Sequence, residues 1–263
     1  MQESNFRLID EALAVEPIKN TFRLGWEFII LNRRLTITII STLIVLAFLG
    51  LLPIVGFVFG LFSSVLSQSM QIYLGRLVYS SENIGEFVSD IEQVDGEVIV
   101  KRHFAVAMGS YVGWIAVAFL LLMFFGVLAG TMGLDESILN NEKELIAFLT
   151  TMASPLIVTM LFLFYLQPLV QANVMMSNSF NEAFSAVFTL FSVRLWKMAF
   201  QRNYFRYISL FGLILLVMAF LFAMVVSVGM SIPVLNILIM VVPLYVISII
   251  FSVSSMMARR LVE

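Results

Sequence analysis

The side chains best suited to chemistry in this chain are neutral amides that lie inside long uncharged stretches. Gln68 and Gln71 are three residues apart, and Gln167 and Gln171 are four apart, so each pair would share one face of a helix. Together with Asn173, they are candidates for the lining of a polar vestibule. The plainer interpretation is that they form hydrogen bonds between helices or meet lipid headgroups, as polar residues near the ends of spans often do.

The titratable residues offer little for catalysis. His103 is the only histidine and there is no cysteine, so a catalytic triad or a zinc site would depend on one imidazole. This histidine follows Lys101 and Arg102 at the entry to an uncharged stretch, which is typical of an interfacial residue; a pH-sensing role is the alternative. No phosphate-binding loop or dinucleotide motif occurs in the sequence. We therefore expect no enzymatic activity, no cofactor and no metal site.

One segment, residues 77–102, is strongly acidic. Within it Glu82, Glu86 and Asp90 recur every four residues, so they would line one face of a helix rather than converge on a metal ion. We expect a solvated face. The alternative is a docking surface for a basic partner, such as the segment 194–206 of the same chain.

The composition is that of a membrane protein. Hydrophobic residues make up 61% of the chain and charged residues 12%, whereas about 25% charged residues are typical of soluble domains. The 41 residues from Leu35 to Gly75 carry no charge and are interrupted near Pro53 and Gly56. One crossing of the hydrocarbon core needs roughly 20 apolar residues, so this stretch predicts two spans joined by a tight turn.

The whole pattern predicts an all-α, polytopic membrane protein with six transmembrane helices in three hairpins. The chain would form a single integral membrane domain over residues 1–263, with a cytoplasmic or interfacial segment over 1–34. The predicted spans are approximately 35–52, 53–76, 104–130, 145–175, 207–229 and 233–257. No acidic or basic residue lies well inside any of them, which argues against a proton-coupled pump.

Glycine and proline modify these spans. The fourth span contains Pro155 and Pro168, so we expect it to be kinked or broken. Glycines four residues apart predict close helix packing, and they occur as Gly56 with Gly60, Gly109 with Gly113, and Gly126 with Gly130.

Two amphipathic segments, Pro17 to Arg34 and Phe180 to Arg206, mix aromatic and basic residues next to spans. This mixture favours interfacial helices at the cytoplasmic face. For the first segment, a helix that packs on the protein itself is an equal alternative. The residues that would contact lipid headgroups are Arg23, Trp26, Arg33, Arg34, Arg194, Trp196, Lys197, Arg202 and Arg206. Single-stranded nucleic acid is a weaker explanation of the second segment, and we expect no nucleic-acid partner.

The basic residues indicate an orientation. With six spans, fourteen of the fifteen Lys and Arg residues fall on one side of the membrane and only Lys143 falls on the other. Because cytoplasmic segments carry an excess of basic residues, we expect a bacterial inner-membrane protein with both termini in the cytoplasm.

Three short stretches resemble known families. With Leu52-Pro53-Ile54-Val55-Gly56, Ile232-Pro233-Val234-Leu235-Asn236 and Phe22-Arg23-Leu24-Gly25-Trp26, the chain resembles the YciC-like group of uncharacterised bacterial inner-membrane proteins. The stretch from Ile232 to Met240 also resembles the sulfate permease CysZ, and this resemblance covers only the last hairpin of the chain. Neither resemblance supplies site residues.

The leading hypothesis is a non-enzymatic membrane protein that binds lipid or a protein partner and supports membrane assembly or envelope organisation. A homo-oligomer is one form that such a partner could take. The alternative hypothesis is a passive transporter or channel for a small solute or anion. A polar cavity between the second and fourth spans would favour transport, and a close-packed core would favour the first hypothesis.

Overall fold

The computed structural model describes residues 7–53, 55–133, 142–229 and 233–263. Within these ranges the chain is helical and has no strand, which confirms the predicted all-α class. The α-helices, in chain order, are α1 (Leu8–Ala14), α2 (Pro17–Leu31), α3 (Arg33–Leu49), α4 (Gly56–Ser80), α5 (Ile84–Gln93), α6 (Gly96–Thr131), α7 (Glu142–Met176), α8 (Phe180–Phe188), α9 (Val193–Ala199), α10 (Arg202–Gly229) and α11 (Pro233–Arg260). A 3-10 turn, Thr189–Phe191, joins α8 to α9.

Five helices, α4, α6, α7, α10 and α11, are long and apolar enough to cross a membrane. The first predicted span is the exception, because α3 has only 17 residues. At 1.5 Å per residue it is about 25 Å long, less than the roughly 30 Å of a hydrocarbon core. It counts as a sixth span only when α2 and α3, which meet at 90°, are taken together.

Asn32 forms the bend between α2 and α3. Its side-chain oxygen accepts a hydrogen bond from the Leu35 amide over 3.0 Å and so caps α3. Its amide nitrogen donates to the main-chain oxygens of Ile91 at 2.8 Å and Val94 at 3.0 Å. The Asn32 side chain therefore caps α3 at the point where α2 ends, and it also binds the last turn of α5 and the residue that follows it.

The short helices gather at one end of the bundle, which we call the charged end. There α5 packs on α2 and α4, α8 packs on α6 and α7, and α1 packs on α2, α4 and α11. Buried hydrogen bonds join the long helices at this end, since the Tyr207 hydroxyl on α10 bonds to Thr21 on α2 at 2.7 Å and to Ser254 on α11 at 3.3 Å. Arg260 pairs with Asp10 at 2.7 Å and thereby binds α11 to α1.

The contact between α6 and α8 depends on two glycines. A Cβ atom on Gly109 would lie 3.0 Å from the Cα of Phe180, and closer still to its carbonyl group. A Cβ on Gly113 would lie 2.9 Å from a methyl group of Val187. The predicted packing role is therefore correct for this pair, although its partner is a short helix rather than another span.

The other predicted glycine pairs behave differently. A Cβ on Gly56 would collide with the carbonyl oxygen of Gly50, so this glycine permits the tight turn between α3 and α4. A Cβ on Gly60, Gly126 or Gly130 would have no atom of a described residue within 4 Å. The prediction of close helix packing is wrong for these three glycines, because the helix surfaces around them are open.

The two amphipathic segments fold differently. On α2 the buried residues are Thr21, Leu24, Gly25 and Phe28, and Gly25 lies against Ile250 of α11, whereas Trp26 is 54% exposed. The helix therefore packs on the protein, which was one of the two expected alternatives. The segment 180–206 is not one helix: the chain turns at 189–191, leaves helical geometry at Ser192 and forms α8, α9 and the start of α10.

The fourth predicted span, α7, is continuous from Glu142 to Met176. Pro155 and Pro168 both lie inside it, so of the two expected alternatives, a kink or a break, the helix is not broken. The turn near 229–233 and the loop 131–144 include residues 230–232 and 134–141, which lie outside the described residues, as does Ile54 in the first turn.

The helices are barely packed away from the charged end. Leu122 on α6, Phe164 on α7 and Leu216 on α10 are 71%, 66% and 63% exposed. Such exposed apolar side chains suit a hydrocarbon environment. The fold is thus a tightly joined base with long apolar helices extending from it.

Candidate functional site

The predicted vestibule residues do not converge on one cavity. Gln171 on α7 donates a hydrogen bond to the Gln71 side chain on α4 over 3.0 Å. The Ser252 hydroxyl on α11 donates to the main-chain oxygen of Gln71 over 2.6 Å. These contacts close the space between α4 and α7, so the amides link three helices instead of lining a pore there.

Gln68 faces another direction. Its amide lies 3.4 Å from the Ser110 hydroxyl on α6, and with Gln71 it borders a cavity of about 350 Å³ between α3, α4 and α11. The remaining polar residues of this cavity are Ser63, Ser64, Ser67, Tyr245 and Ser248. Of the five predicted residues, only Gln68 and Gln71 line it.

Asn173 and Gln167 lie apart from this cavity. Asn173 donates to Thr189 over 3.1 Å and accepts from Arg259 over 3.3 Å, so it joins α7 to the 3-10 turn and to the end of α11. The five predicted residues therefore have separate roles. Gln171 links α7 to α4, Gln68 and Gln71 line the cavity, and Asn173 forms contacts at the charged end. Gln167 is half-buried and forms no hydrogen bond with a described residue.

A site at the end of α4 was not predicted. Arg76 is half-buried and donates from Nε to the main-chain oxygen of Met175 at 2.6 Å and from Nη2 to that of Ser177. These oxygens belong to the C-terminal end of α7, where a positive charge is favourable. The sequence signal was an arginine ending the Leu35 to Gly75 stretch, but its burial could not be read from the pattern.

Arg76 borders a cavity of about 480 Å³ between the end of α4, α5 and the start of α6. Arg102 and His103 on α6 line the same cavity, as do Asp90 and Asp95. His103 is only 2% exposed, and its Nδ1 atom has no hydrogen-bond partner among the described residues. The cavity thus collects three basic side chains at the charged end.

A second and larger groove, of about 720 Å³, lies between α3, α4 and α6. Its polar mouth contains Arg34 and Lys101 together with carboxylates that include Glu92, and its wall is formed by apolar residues such as Leu35 and Ile39. From Arg34 to Thr42 the groove follows α3 for nine residues, a rise of about 12 Å.

The basic residues of α9 and the first turns of α10 lie on an exposed surface, which we call the aromatic-basic surface. Its cations are Arg194, Lys197, Arg202 and Arg206, and its aromatic residues are Trp196, Phe200 and Phe205. All four cations are exposed, and none forms an ion pair with a described residue. Phe200 is 69% exposed, so an apolar ring stands in water or lipid next to unpaired positive charge.

Trp196 is fixed within this surface. Its indole Nε1 donates to the main-chain oxygen of Leu190 over 2.6 Å, and its ring meets Phe162 edge to face with centroids 5.5 Å apart. Its orientation is therefore set by the 3-10 turn and by α7.

The headgroup residues predicted near α2 form a less uniform group. Arg23 is paired with Glu27 at 2.8 Å, so its charge is partly neutralised. Arg33 and Arg34 are exposed and form no ion pair with a described residue, and Trp26 is exposed on α2. Only Arg34 of this group borders the larger groove.

The acidic helix α5 presents Glu86 and Asp90 to solvent, with Glu82 exposed just before it, while Phe87 and Ile91 are buried beneath it. Within the described residues, no three His, Cys, Asp or Glu side chains are grouped closely enough to hold a metal ion. The arrangement is a solvated helix face.

Comparison of the chain with protein-family models, curated proteins and solved structures finds no match, so the site is interpreted from its own geometry.

Proposed function

We propose that this chain is a non-enzymatic, multi-pass protein of the bacterial inner membrane that binds lipid headgroups at its charged end. The observation that carries the proposal is the aromatic-basic surface, where four unpaired cations alternate with exposed aromatic rings. Each basic residue near an anionic membrane surface contributes about 1 kcal/mol of attraction. Aromatic rings suit the same boundary region.

The proposal includes a topology with six spans in three hairpins. In it α2 lies along the membrane surface, and the 90° bend at Asn32 directs α3 into the bilayer. The charged end faces the cytoplasm together with both termini, because fourteen of the fifteen Lys and Arg residues belong to segments on that side. A protein held in this way could support membrane assembly or envelope organisation by recruiting lipid or a membrane partner.

The proposal can be tested by counting the lipids that stay with the purified full chain. The protein is reconstituted in nanodiscs with equal amounts of phosphatidylglycerol and phosphatidylcholine, and retained lipids are measured by mass spectrometry after detergent extraction. The triple variant Arg194→Gln, Lys197→Gln, Arg202→Gln should lose most of the preference for the anionic lipid. High salt should reduce the preference of the unaltered chain, because exposed charges are screened.

A matched control variant carries Lys19→Gln, Arg23→Gln and Lys101→Gln. It loses the same charge, but each of these cations is already paired with a carboxylate, namely Glu16, Glu27 and Glu97. The control should keep the preference for anionic lipid. Equal losses in both variants would show that only net charge matters and would remove the support for a specific surface, whereas a stoichiometric protein that copurifies with the chain would favour the partner hypothesis.

Passive transport is the second candidate, because one observation favours it. The cavity of about 350 Å³ beside Gln68 is lined by four serines and two glutamines, and two of the three helices around it, α4 and α11, are long enough to cross a membrane. Flux of small anions and neutral solutes into liposomes, compared between the unaltered chain and Ser67→Phe, tests it. Flux that the variant abolishes would support transport, and flux no higher than in protein-free liposomes would refute it.

A further inference from the structure

The cavity at the end of α4 holds more basic groups than the fold itself uses. Arg76 directs Nε and Nη2 to main-chain oxygens of α7, which leaves Nη1 without a hydrogen-bond acceptor among the described residues. Arg102 is exposed on its outer side and, like Arg76, forms no ion pair with a described residue. Two guanidinium groups therefore face one space of about 480 Å³ without a bound counter-charge.

His103 adds a donor that is already desolvated. The ring is 2% exposed and borders the cavity, and its Nδ1 atom has no partner among the described residues. A buried polar atom without a partner costs free energy comparable to a lost hydrogen bond. A small rotation of the ring towards the cavity would let a ligand oxygen accept a hydrogen bond from a proton on Nδ1 and so remove this cost.

The rest of the wall keeps the histidine in place. The Tyr73 ring lies 6.3 Å from the His103 ring, and its hydroxyl donates to the main-chain oxygen of Asp90 over 3.2 Å. The wall is therefore built from α4, α5 and α6 together, so the cavity depends on the folded charged end.

Two carboxylates also line the cavity. Asp90 and Asp95 are exposed to solvent, where water screens their charge. Asp95 is engaged at the start of α6, since its side chain accepts a hydrogen bond from the Glu97 amide over 3.1 Å. The half-buried Arg76 is thus the innermost charged group of the wall, and the exposed part of the wall carries charges of both signs.

We propose that this cavity binds a phosphoryl group. Its oxygens would accept hydrogen bonds from the Arg76 Nη1, the Arg102 guanidinium and the His103 Nδ1–H. Guanidinium groups match phosphate geometry, and a phosphoryl group has enough acceptor oxygens for all three donors. The group can belong to a lipid headgroup or to a soluble phosphate ester. The site is separate from the aromatic-basic surface and does not depend on the function proposed for it.

The single histidine provides a direct probe, because the chain has no other imidazole. The full chain is labelled with ¹⁵N-histidine in neutral detergent, and its imidazole signals are followed by NMR during titration with inorganic phosphate and with glycerol 3-phosphate. A third titration uses nanodiscs that contain phosphatidic acid, with phosphatidylcholine alone as reference. We expect a saturable shift of the His103 signals.

Two neighbouring substitutions separate a site from general charge attraction. Arg102→Gln removes one donor from the cavity and should weaken binding at least about tenfold. Lys101→Gln removes the same charge one position away, on a side chain that does not line this cavity, and should change affinity less than about twofold. Arg102 is exposed, so its replacement should leave the protein folded. Thermal unfolding of both variants checks this.

The outcomes are distinct. A shift with all three ligands establishes a phosphoryl site, and a shift with phosphatidic acid alone establishes a lipid headgroup site. No shift with any ligand, or equal weakening by both substitutions, would overturn the proposal. A negative result here leaves the lipid preference of the aromatic-basic surface unaffected, because that surface is tested by other residues and another measurement.

Discussion

The side-chain amide of Asn32 donates a hydrogen bond to the main-chain oxygen of Ile91 over 2.8 Å, and this bond joins the bend between α2 and α3 to the end of α5. The same side chain caps α3 through the Leu35 amide. Residues that are 59 positions apart in the chain are thereby held together by one amide.

Replacement of Asn32 by alanine should destabilise the protein. The substitution removes a helix cap, which typically costs about 1 kcal/mol, and leaves the oxygens of Ile91 and Val94 without their donor. We expect a lower unfolding temperature in detergent and faster amide hydrogen exchange in α5. Asn32→Ser keeps a capping acceptor and should lower the unfolding temperature less. Asn203→Ala, at an exposed position, should leave the unfolding temperature nearly unchanged. An unchanged exchange rate in α5 would contradict this role.

The contact between α6 and α8 gives a second prediction. Gly109→Ala places a methyl group against the Phe180 backbone and should destabilise the fold by about 1–3 kcal/mol through overpacking. Gly126→Ala on the same helix meets no atom within 4 Å and should be neutral or slightly stabilising, since alanine favours helix over glycine. Thermal unfolding of the two variants in the same detergent measures the difference. Equal unfolding temperatures would show that α8 does not approach α6 this closely.

The hydrogen bond between the side chains of Gln71 and Gln171 gives a third prediction. Replacing either residue by leucine removes a hydrogen bond between α4 and α7, and such bonds in membrane proteins contribute about 0.6 kcal/mol on average. A double-mutant cycle measured by unfolding in a denaturing detergent should therefore give a small positive coupling energy. Gln167→Leu, on the same helix but without a hydrogen bond to a described residue, should show no coupling to Gln71.

The pair of Asp10 and Arg260 predicts a dependence on pH. The hydrogen bonds from the Arg260 guanidinium lower the pKa of the Asp10 carboxyl below its ordinary value of 3.8, against the opposing effect of burial. A lowered pKa in the folded state means that the contact stabilises fully above the ordinary value. Its contribution is lost as the pH falls from 3.8 towards the lowered pKa.

The size of this effect is modest because both side chains are partly exposed. We expect at most about 1 kcal/mol. Asp10→Asn should remove that part of the acid dependence when unfolding temperatures are measured between neutral pH and pH 3, and Glu11→Gln, next to it on α1, should not. A variant Asp10→Asn with the acid sensitivity of the unaltered chain would rule out the pair as its source.

The sequence was informative where one local pattern determined the structure. The uncharged stretch from Leu35 to Gly75 predicted two helices with a tight turn, and the turn is there because Gly56 approaches Gly50. The length of α3 was not predictable in the same way. Its start is fixed by Asn32, whose role depends on contacts with Ile91 and Val94 that hydropathy does not contain.

Surfaces that depend on tertiary contacts were predicted less well. For the segment Pro17 to Arg34 the sequence left an interfacial helix and a helix packed on the protein as equal alternatives, and the packing of α2 depends on tertiary contacts such as that of Gly25 with Ile250 of α11. The start of α8 had a local signal, since the Ser179 hydroxyl accepts a hydrogen bond from the Glu182 amide and the Glu182 carboxylate accepts one from the Asn178 amide. Nothing local indicated that Arg76 would meet α7, because its acceptors lie about 100 residues later in the chain.

The long exposed halves of α6, α7 and α10 have a mechanical consequence. The hydrogen bonds and close contacts named above join these helices at the charged end. A bilayer that becomes thinner or thicker can be matched by changes in helix tilt, at a small energetic cost. Tilting of the long helices would adapt the protein to membranes of different thickness, while the closely packed charged end keeps its shape.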